Sequence, residues 1–326
     1  MVLKINCKKN ILLFSLVFIM LFILTACGSG NESSDSESDG NETEESEGSA
    51  EVTLDSEMGE VTIPAGAERV LAPFHEDALL SLGVTPVAKW AIGESLQDYL
   101  EPELQDIPKI EWTLPLEQVL SLEPDLIILE NNIDNYEGTY EDYSKIAPTY
   151  VMTEETTSDW QKQIDTFSKL LGKEDEAEQA LAGYEEKVTD VSNQLEEAIG
   201  DETLAAIWVV GGKFFLFEKD RHSAELIYSK LGVNYSSVVE ELGEAAPQWE
   251  AISLEKLSEL DADHVFLLAA EGESGIETLE KSTVWQSIPA AQNENIYILE
   301  DASNWTNKGL KASEKTMDDL LNYLVK

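Results

Sequence analysis

Cysteine is nearly missing from this sequence. Cys7 and Cys27 are the two thiols in 326 residues, and both precede the body of the chain. Beyond residue 27 a disulfide framework, a cysteine-ligated metal cluster and a cysteine nucleophile are therefore excluded. Histidine is scarce as well. There are three, His75, His222 and His264; with His264 inside an apolar strand, no set of three imidazoles remains for zinc or another divalent ion. Positive charge is the third shortage: 21 lysines and arginines stand against 65 carboxylates, for a formal charge of −44. Arg69 and Arg221 are the two arginines. Binding to phosphates requires clustered cations, so neither nucleic acid nor anionic lipid head groups are expected partners. The acidity itself fits solubility in a salty or alkaline medium. Catalytic signatures are lacking too: there is no Gly-x-Ser-x-Gly, no P-loop and no His-Glu-x-x-His, and carboxylates are too abundant for any pair to be informative. An enzyme is not expected.

One long hydrophobic run exists, over residues 11–24, interrupted by Ser15 and preceded by Lys4, Lys8 and Lys9. It is short for a membrane span and closely followed by small residues, the pattern of a secretory leader over residues 1–26. Its end, Leu24-Thr25-Ala26-Cys27, resembles the bacterial lipobox. That resemblance implies a lipid on Cys27 and anchoring on the extracellular face of a cell membrane, as in Gram-positive lipoproteins, without a span. An ordinary signal peptide with an incidental cysteine is the alternative. Apart from Thr43 and Ala50, residues 28–50 are Ser, Gly, Glu, Asp and Asn with no Lys or Arg, so an acidic disordered tether is expected over 27–50, extended by self-repulsion.

The remainder, 51–326, is long enough for two domains. Over 174–199 the apolar residues Ala177, Leu181, Tyr184, Val188, Val191 and Leu195 are spaced by three and four, which predicts a helix with one buried stripe. Gly200 and Asp201 end it. Phrases before this helix recur after it. LEQVLSLEPDLIIL (116–129) aligns without a gap on LEKLSELDADHVFL (254–267), pairing Glu117 with Glu255 and Asp125 with Asp263. Each reads as an amphipathic helix, an Asp turn and a buried strand, half of a βαβ unit. Upstream, Glu76 precedes Leu82-Gly83-Val84 by the interval that separates Glu225 from Leu231-Gly232-Val233. The predicted fold is α/β, with two Rossmann-like lobes, 51–173 and 200–326, joined by one rigid helix over 174–199.

Within the lobes the pattern predicts a hairpin over 52–63 turning at Met58-Gly59, a strand over 69–74, a helix over 76–82 stopped by Gly83, and a strand over 84–91. Ser158 with Gln161 reads as a capping box, opening a helix with Trp160, Ile164, Phe167 and Leu171 on one face. In the second half, two apolar runs flank Gly211-Gly212. A helix is expected over 223–231, a last strand over 296–299 and a closing helix over 306–325.

The lipobox, PFHEDALLSLGVTPVAKW (73–90), LEQVLSLEPDLIIL, IAPTY (146–150), LLGKEDEAEQAL (170–181), HSAELIYSKLG (222–232), WEAISLEKLSELDADHVFLL (249–268) and NWTNKGLKASEKTMDDLL (304–321) together resemble the substrate-binding lipoproteins of iron-siderophore ABC importers. The resemblance covers the chain after the tether, in the family's order. It implies a class III binding protein whose lobes close little, with a ferric siderophore as ligand in the cleft and no intrinsic cofactor. It also implies a membrane permease, with its cytoplasmic ATPase, docking across both lobes; a monomer is expected. Haem or a corrinoid is the alternative cargo.

Trp90, Trp112, Trp208, Trp249 and Trp305 lie at or near predicted strand ends, where α/β sheets place ligands. With Tyr99 they would form flat walls for a chelate whose iron is already wrapped; core packing fits each of them as well. Trp160 and Trp285 read as core. Arg221 precedes the second lobe's repeated helix, and in hydroxamate-type relatives an arginine at a similar place contacts chelate oxygens, acceptors suited to a guanidinium fork. Lys89, Lys109, Lys213 and Lys308 are its candidate companions. Cations so sparse favour a hydroxamate or mixed chelate of low charge. His75 and His222 occupy equivalent places and are the alternative haem ligands, or ordinary loop histidines. The resemblance further implies one acidic residue per lobe tip meeting permease arginines. Glu76 (or Asp77) and Glu225 are the matched pair, with helix-dipole charge as the other reading. From other classes, an adhesin or sensor ectodomain shares the fold pattern, and a secreted hydrolase lacks a nucleophile.

Overall fold

The computed structural model describes residues 51–325; the expected leader, the lipid-bearing Cys27 and the acidic tether lie outside them. One helix, Glu174–Ile199, runs for 26 residues with the bounds that the apolar spacing predicted. Ala177, Tyr184, Val188, Val191 and Leu195 are buried and Leu181 is half-buried, so the stripe is one-sided. Glu174, Asp175 and Glu176 occupy the first turn, where the dipole favours negative charge. At 1.5 Å per residue the rod is roughly 40 Å long.

Strands before this helix form sheets separate from those after it. A hairpin comes first, β1 (Glu51–Ser56) with β2 (Gly59–Pro64). Ser56 faces Gly59, so Glu57-Met58 makes the turn, one residue earlier than expected. Then come β3 (Val70–Leu71), β4 (Lys89–Ile92), β5 (Glu94–Ser95), β6 (Lys109–Glu111), β7 (Leu126–Leu129) and β8 (Thr149–Val151). The parallel order is β3-β7-β8, and β4 carries β6 parallel and β5 antiparallel. Beyond the helix, β9 (Thr203–Val210), β10 (Lys213–Leu216), β11 (Asn234–Tyr235), β12 (His264–Leu268) and β13 (Ile296–Leu299) assemble in the order β10-β9-β12-β13, with β11 beside the start of β9. β9, β12 and β13 are parallel. Every residue of β7 and β12 is buried, as expected of strands covered on both faces. Gly211 and Gly212 both have positive φ, 58° and 70°, which lets a two-residue turn match the twist between β9 and β10.

The repeated phrases fold alike. Asp125, entering β7, accepts the N–H groups of Glu68 (3.0 Å) and Arg69 (2.8 Å) ahead of β3. Its counterpart Asp263, entering β12, accepts Thr203 N–H (2.9 Å) at the start of β9. In both lobes the aspartate N–H also reaches back, to Arg69 O and to Thr203 O. Each aspartate thus sets the register of two parallel strands.

Other expectations shift. The strand over 69–74 shrinks to two residues and turns away at Phe74, whose φ is 68°; that over 84–91 begins only at Lys89. Ser158 ends a short helix, Glu154–Ser158, and Asp159 caps the next, Trp160–Leu171, by accepting Gln161 N–H at 2.9 Å. The expected capping box is therefore replaced by a neighbouring Asx cap. Residues Glu225–Lys230 form a π-helical turn in which Leu231 N–H reaches Leu226 O at 2.9 Å; such turns are rare and often adjoin functional sites. The closing helix, Leu310–Leu324, starts later than expected, with Leu310, Met317, Leu320 and Leu324 buried.

Asp125→Ala and Asp263→Ala should each lower unfolding stability by about 1 kcal/mol, and their effects should add because the two turns share no partner. Urea denaturation of the two single variants and the double variant checks this. A neutral Asp263→Ala would refute the equivalence of the turns.

Candidate functional site

Parallel strands bring their carboxyl ends, and the loops that follow, to one side of a sheet. A cavity of about 180 Å³ lies among loops from both lobes, most of them of this kind. Phe74 and His75 follow β3, Glu130 follows β7, His222 comes after β10, and Asn307 with Lys308 after β13. A second cavity of about 300 Å³ shares Trp160, His222, Asn307 and Lys308 with it and reaches Tyr184 of the connecting helix. A larger cavity, about 620 Å³, surrounds His264 and Tyr297 at the opposite ends of the second-lobe strands. It lies away from every loop just named.

Trp249 is the hub on the second-lobe side. The Arg221 guanidinium carbon lies 4.3 Å from its ring centroid, and His222 stacks on it at 5.7 Å and 25°. Phe217, Trp208 and Phe215 surround it at 4.9, 5.4 and 6.1 Å. The structure therefore brings Trp208, Trp249, Arg221 and His222 together. It adds Phe215 and Phe217, which sequence reasoning missed although they alternate along β10 and its exit. On the first-lobe side Phe74 packs on Trp90 at 5.0 Å and on His75 at 6.0 Å. Trp160, expected in the core, is half-buried in the wall of both cavities with its ring edge-on to Tyr184 at 5.0 Å.

Several expected wall residues lie elsewhere. Trp305 is fully buried, stacked on Phe266 at 5.0 Å with its indole N–H donating to Asp319 at 3.0 Å; it is core. Lys89 is also buried, its ammonium donating to Glu101 (2.7 Å) and Leu104 O (3.0 Å), so it braces a first-lobe turn. The Tyr99 hydroxyl donates to Asp77 at 2.9 Å and therefore does not face a chelate. Trp112 is exposed beyond β6. Lys109 and Lys213 are exposed and line neither of the inter-lobe cavities. Lys308 lines both and pairs with Glu225 at 2.9 Å.

The expected charges are already committed. Arg221 is buried, with Nε and Nη2 donating to Glu218 and Nη2 also to Ala246 O at 2.8 Å. His75 is held at both ring nitrogens, by Gln163 and by Glu130, each at 3.1 Å; ligating a haem iron would break one of these bonds. His222, with φ 44°, is pushed down to about 4, first by burial and then by Lys308 and Arg221. Its ring is neutral at physiological pH, and its buried Nδ1 has no partner. Among the described residues no group of three or more His, Cys, Asp and Glu is arranged to hold a metal ion.

Glu76 and Asp77 are 1% and 3% exposed, which corrects their expected docking role: neither can meet a partner's arginine. Glu76 accepts the Trp90 N–H at 2.6 Å, and burial, outweighing that bond, raises its carboxyl to about 7. Asp77 accepts the backbone N–H groups of Lys311 (3.1 Å) and Ala312 (3.0 Å). Burial pushes its carboxyl up while those donors hold it down. Glu225 is exposed, but its carboxylate turns to Lys308 at the 300 Å³ cavity.

Two α/β lobes on one helical rod, with an aromatic-lined gap between strand-end loops, define a class III binding protein. The chain belongs to the periplasmic binding protein family, whose model matches residues 70–302. It is 26% identical over 329 residues to the iron(3+)-hydroxamate-binding protein YxeB of Bacillus subtilis (strain 168), covering 98% of each chain. It is 29% identical over 336 residues to the Fe(3+)-citrate-binding protein YfmC of the same organism, covering 96% of each. Among solved structures it resembles a FhuD fold-family periplasmic binding protein component of a Fep/Fec-like ferrichrome ABC transporter from Bacillus subtilis. That match has a TM-score of 0.71 at 24% identity, over 84% of this chain and 100% of the other.

Because the folded Glu76 carboxyl titrates near 7 rather than 4.5, the native state holds a proton that the unfolded chain releases earlier. The stability this contributes is complete below about pH 4.5 and is lost as pH rises through about 7. Glu76→Gln keeps an acceptor for Trp90 N–H. It should raise the melting temperature at pH 8 and change it little at pH 4, and an equal shift at both would remove titration as the cause.

Proposed function

We propose that this protein captures a ferric siderophore between its lobes and delivers it to an ABC permease driven by a cytoplasmic ATPase. It works as a monomer anchored through Cys27 on the extracellular face of the membrane, with lobes bounded at residues 173 and 200. It performs no chemistry on its cargo. The observation that carries the reading is the group of aromatic rings around Trp249 and Arg221, joined to the inter-lobe cavities through His222, which stacks on Trp249 and lines both. Iron already wrapped in organic oxygens needs shape and a few donors rather than protein–metal bonds, and rings with a guanidinium supply these. Relatives that bind iron(III) hydroxamate and iron(III) citrate support an iron chelate as cargo.

Charge favours a hydroxamate or mixed chelate. Arg221 is met by Glu218 and Lys308 by Glu225, which among the described residues leaves Lys230 as the cavity-lining lysine outside an ion pair, little positive charge for a highly anionic tris-catecholate. Haem is the weaker reading because both nitrogens of His75 are engaged and the unpartnered Nδ1 of His222 is buried away from the cavity surface.

For docking, burial removes Glu76 and Asp77, and the other matched acidic pair takes their place. Glu117 and Glu255 are exposed in the first turns of Leu116–Ser121 and Leu254–Leu257, one in each lobe. One carboxylate per lobe can orient the protein on a two-fold partner and speed encounter.

Titration with a ferric trihydroxamate should quench tryptophan fluorescence with a Kd below about 1 μM, and Trp249→Leu should weaken binding roughly 10–100-fold. No response from hydroxamate, catecholate and citrate complexes alike would overturn the cargo assignment. Glu117→Lys combined with Glu255→Lys should leave the Kd unchanged and stop growth on the chelated iron; normal uptake would rule out the docking role.

A further inference from the structure

The closing helix lacks a cap of its own. Its N-cap is Gly309, which has no side chain to accept from the first-turn N–H groups, and a helix start left without partners is costly when buried. The missing acceptor comes from the other lobe. Asp77, at the start of the first-lobe helix Glu76–Ser81, presents Oδ1 to Lys311 N–H at 3.1 Å and Oδ2 to Ala312 N–H at 3.0 Å, across more than 230 residues of sequence. A carboxylate there combines capping with the attraction of the helix dipole. The Tyr99 hydroxyl donates to the same carboxylate at 2.9 Å and aims it. Glycine at 309 is required by space: a Cβ there would stand 2.3 Å from Asp77 Oδ2.

Further bonds between the lobes fall on the same segment. Tyr99 N–H donates to Ser303 Oγ at 2.9 Å, Asn307 Nδ2 donates to Leu96 O at 3.0 Å, and Lys311 pairs with Glu103 at 3.0 Å. This segment also supplies the second-lobe wall of the gap. Asn307 and Lys308 line both inter-lobe cavities, while Asn304, Ser313 and Thr316 line the larger of the two.

We propose that Asp77 is an inter-lobe helix cap and, through it, a positioning residue for the ligand gap. It holds residues 303–312 against the first lobe so that Asn307 and Lys308 stand where the cargo meets them. The cargo arm of the test rests on the siderophore reading; the cap itself does not.

Amide hydrogen exchange on the full chain, compared with Asp77→Ala and Gly309→Ala, tests the proposal from both lobes. Exchange across 303–312 should quicken about tenfold, the effect of a lost cap, with β9 and β12 unchanged. Stopped-flow dissociation of a ferric trihydroxamate should quicken by a similar factor. Acceleration confined to residues 311 and 312, with dissociation unchanged, would make Asp77 a local cap only and overturn the positioning role. Gly309→Ala disturbs the same contact without touching the carboxylate, so the test survives if Asp77→Ala does not fold. If the wild-type chain fails to bind the trihydroxamate, the hydroxamate preference falls and the exchange arm still decides the cap; unchanged exchange in both variants sinks the cap.

Discussion

The apolar stripe of the helix Glu174–Ile199 is the constraint on which the rest of the fold depends. Its outward faces are charged, so the stripe has one direction in which to bury, and both lobes meet it there. The first lobe sends Trp160 onto Tyr184 at 5.0 Å. The second bonds Ser192 to Leu231 O at 2.9 Å and pairs Asp318 with Lys187 at 2.7 Å. A continuous helix cannot fold at its middle without breaking backbone hydrogen bonds, unlike an irregular two-strand hinge. The gap between the lobes is therefore largely set before a ligand arrives, which lowers the ordering cost of binding.

Scarcity of positive charge shapes the interior as much as the surface. Arg221 and Lys308 near the gap are matched by Glu218 and Glu225, and aromatic faces such as Trp160 and amides such as Asn307 make up much of its wall. Backbone groups take over where cations are lacking, as the neighbours Glu76 and Asp77 demonstrate. Asp77 collects two helix N–H groups and a tyrosine hydroxyl. Glu76 collects one backbone N–H and leaves Oε2 without a partner. A buried carboxyl with so little help retains its proton up to about 7, while at Asp77 burial also raises the carboxyl but works against those three donors.

Membership of the periplasmic binding protein family agrees with what was legible in the chain. The connecting helix could be read to the residue because its periodicity is a local property of 26 positions. The match of Asp125 with Asp263 was equally visible, and both aspartates turn out to tie strand starts in the same way. The match of Glu76 with Glu225 was visible too but misled: one side chain is buried against a strand and the other closes on a lysine at a cavity. Equal spacing in sequence does not carry equal surroundings.

Spacing and glycine punctuation determined the α/β elements and the rod, since these follow from neighbours along the chain. Which tryptophan is core was decided only by the packed structure. Trp305 and Trp249 look alike at strand ends, yet Phe266 and Asp319 enclose the first while Arg221 and His222 build on the second. The role of Asp77 was hidden for the same reason, because its partners stand over 230 residues away and burial is a property of three-dimensional neighbours.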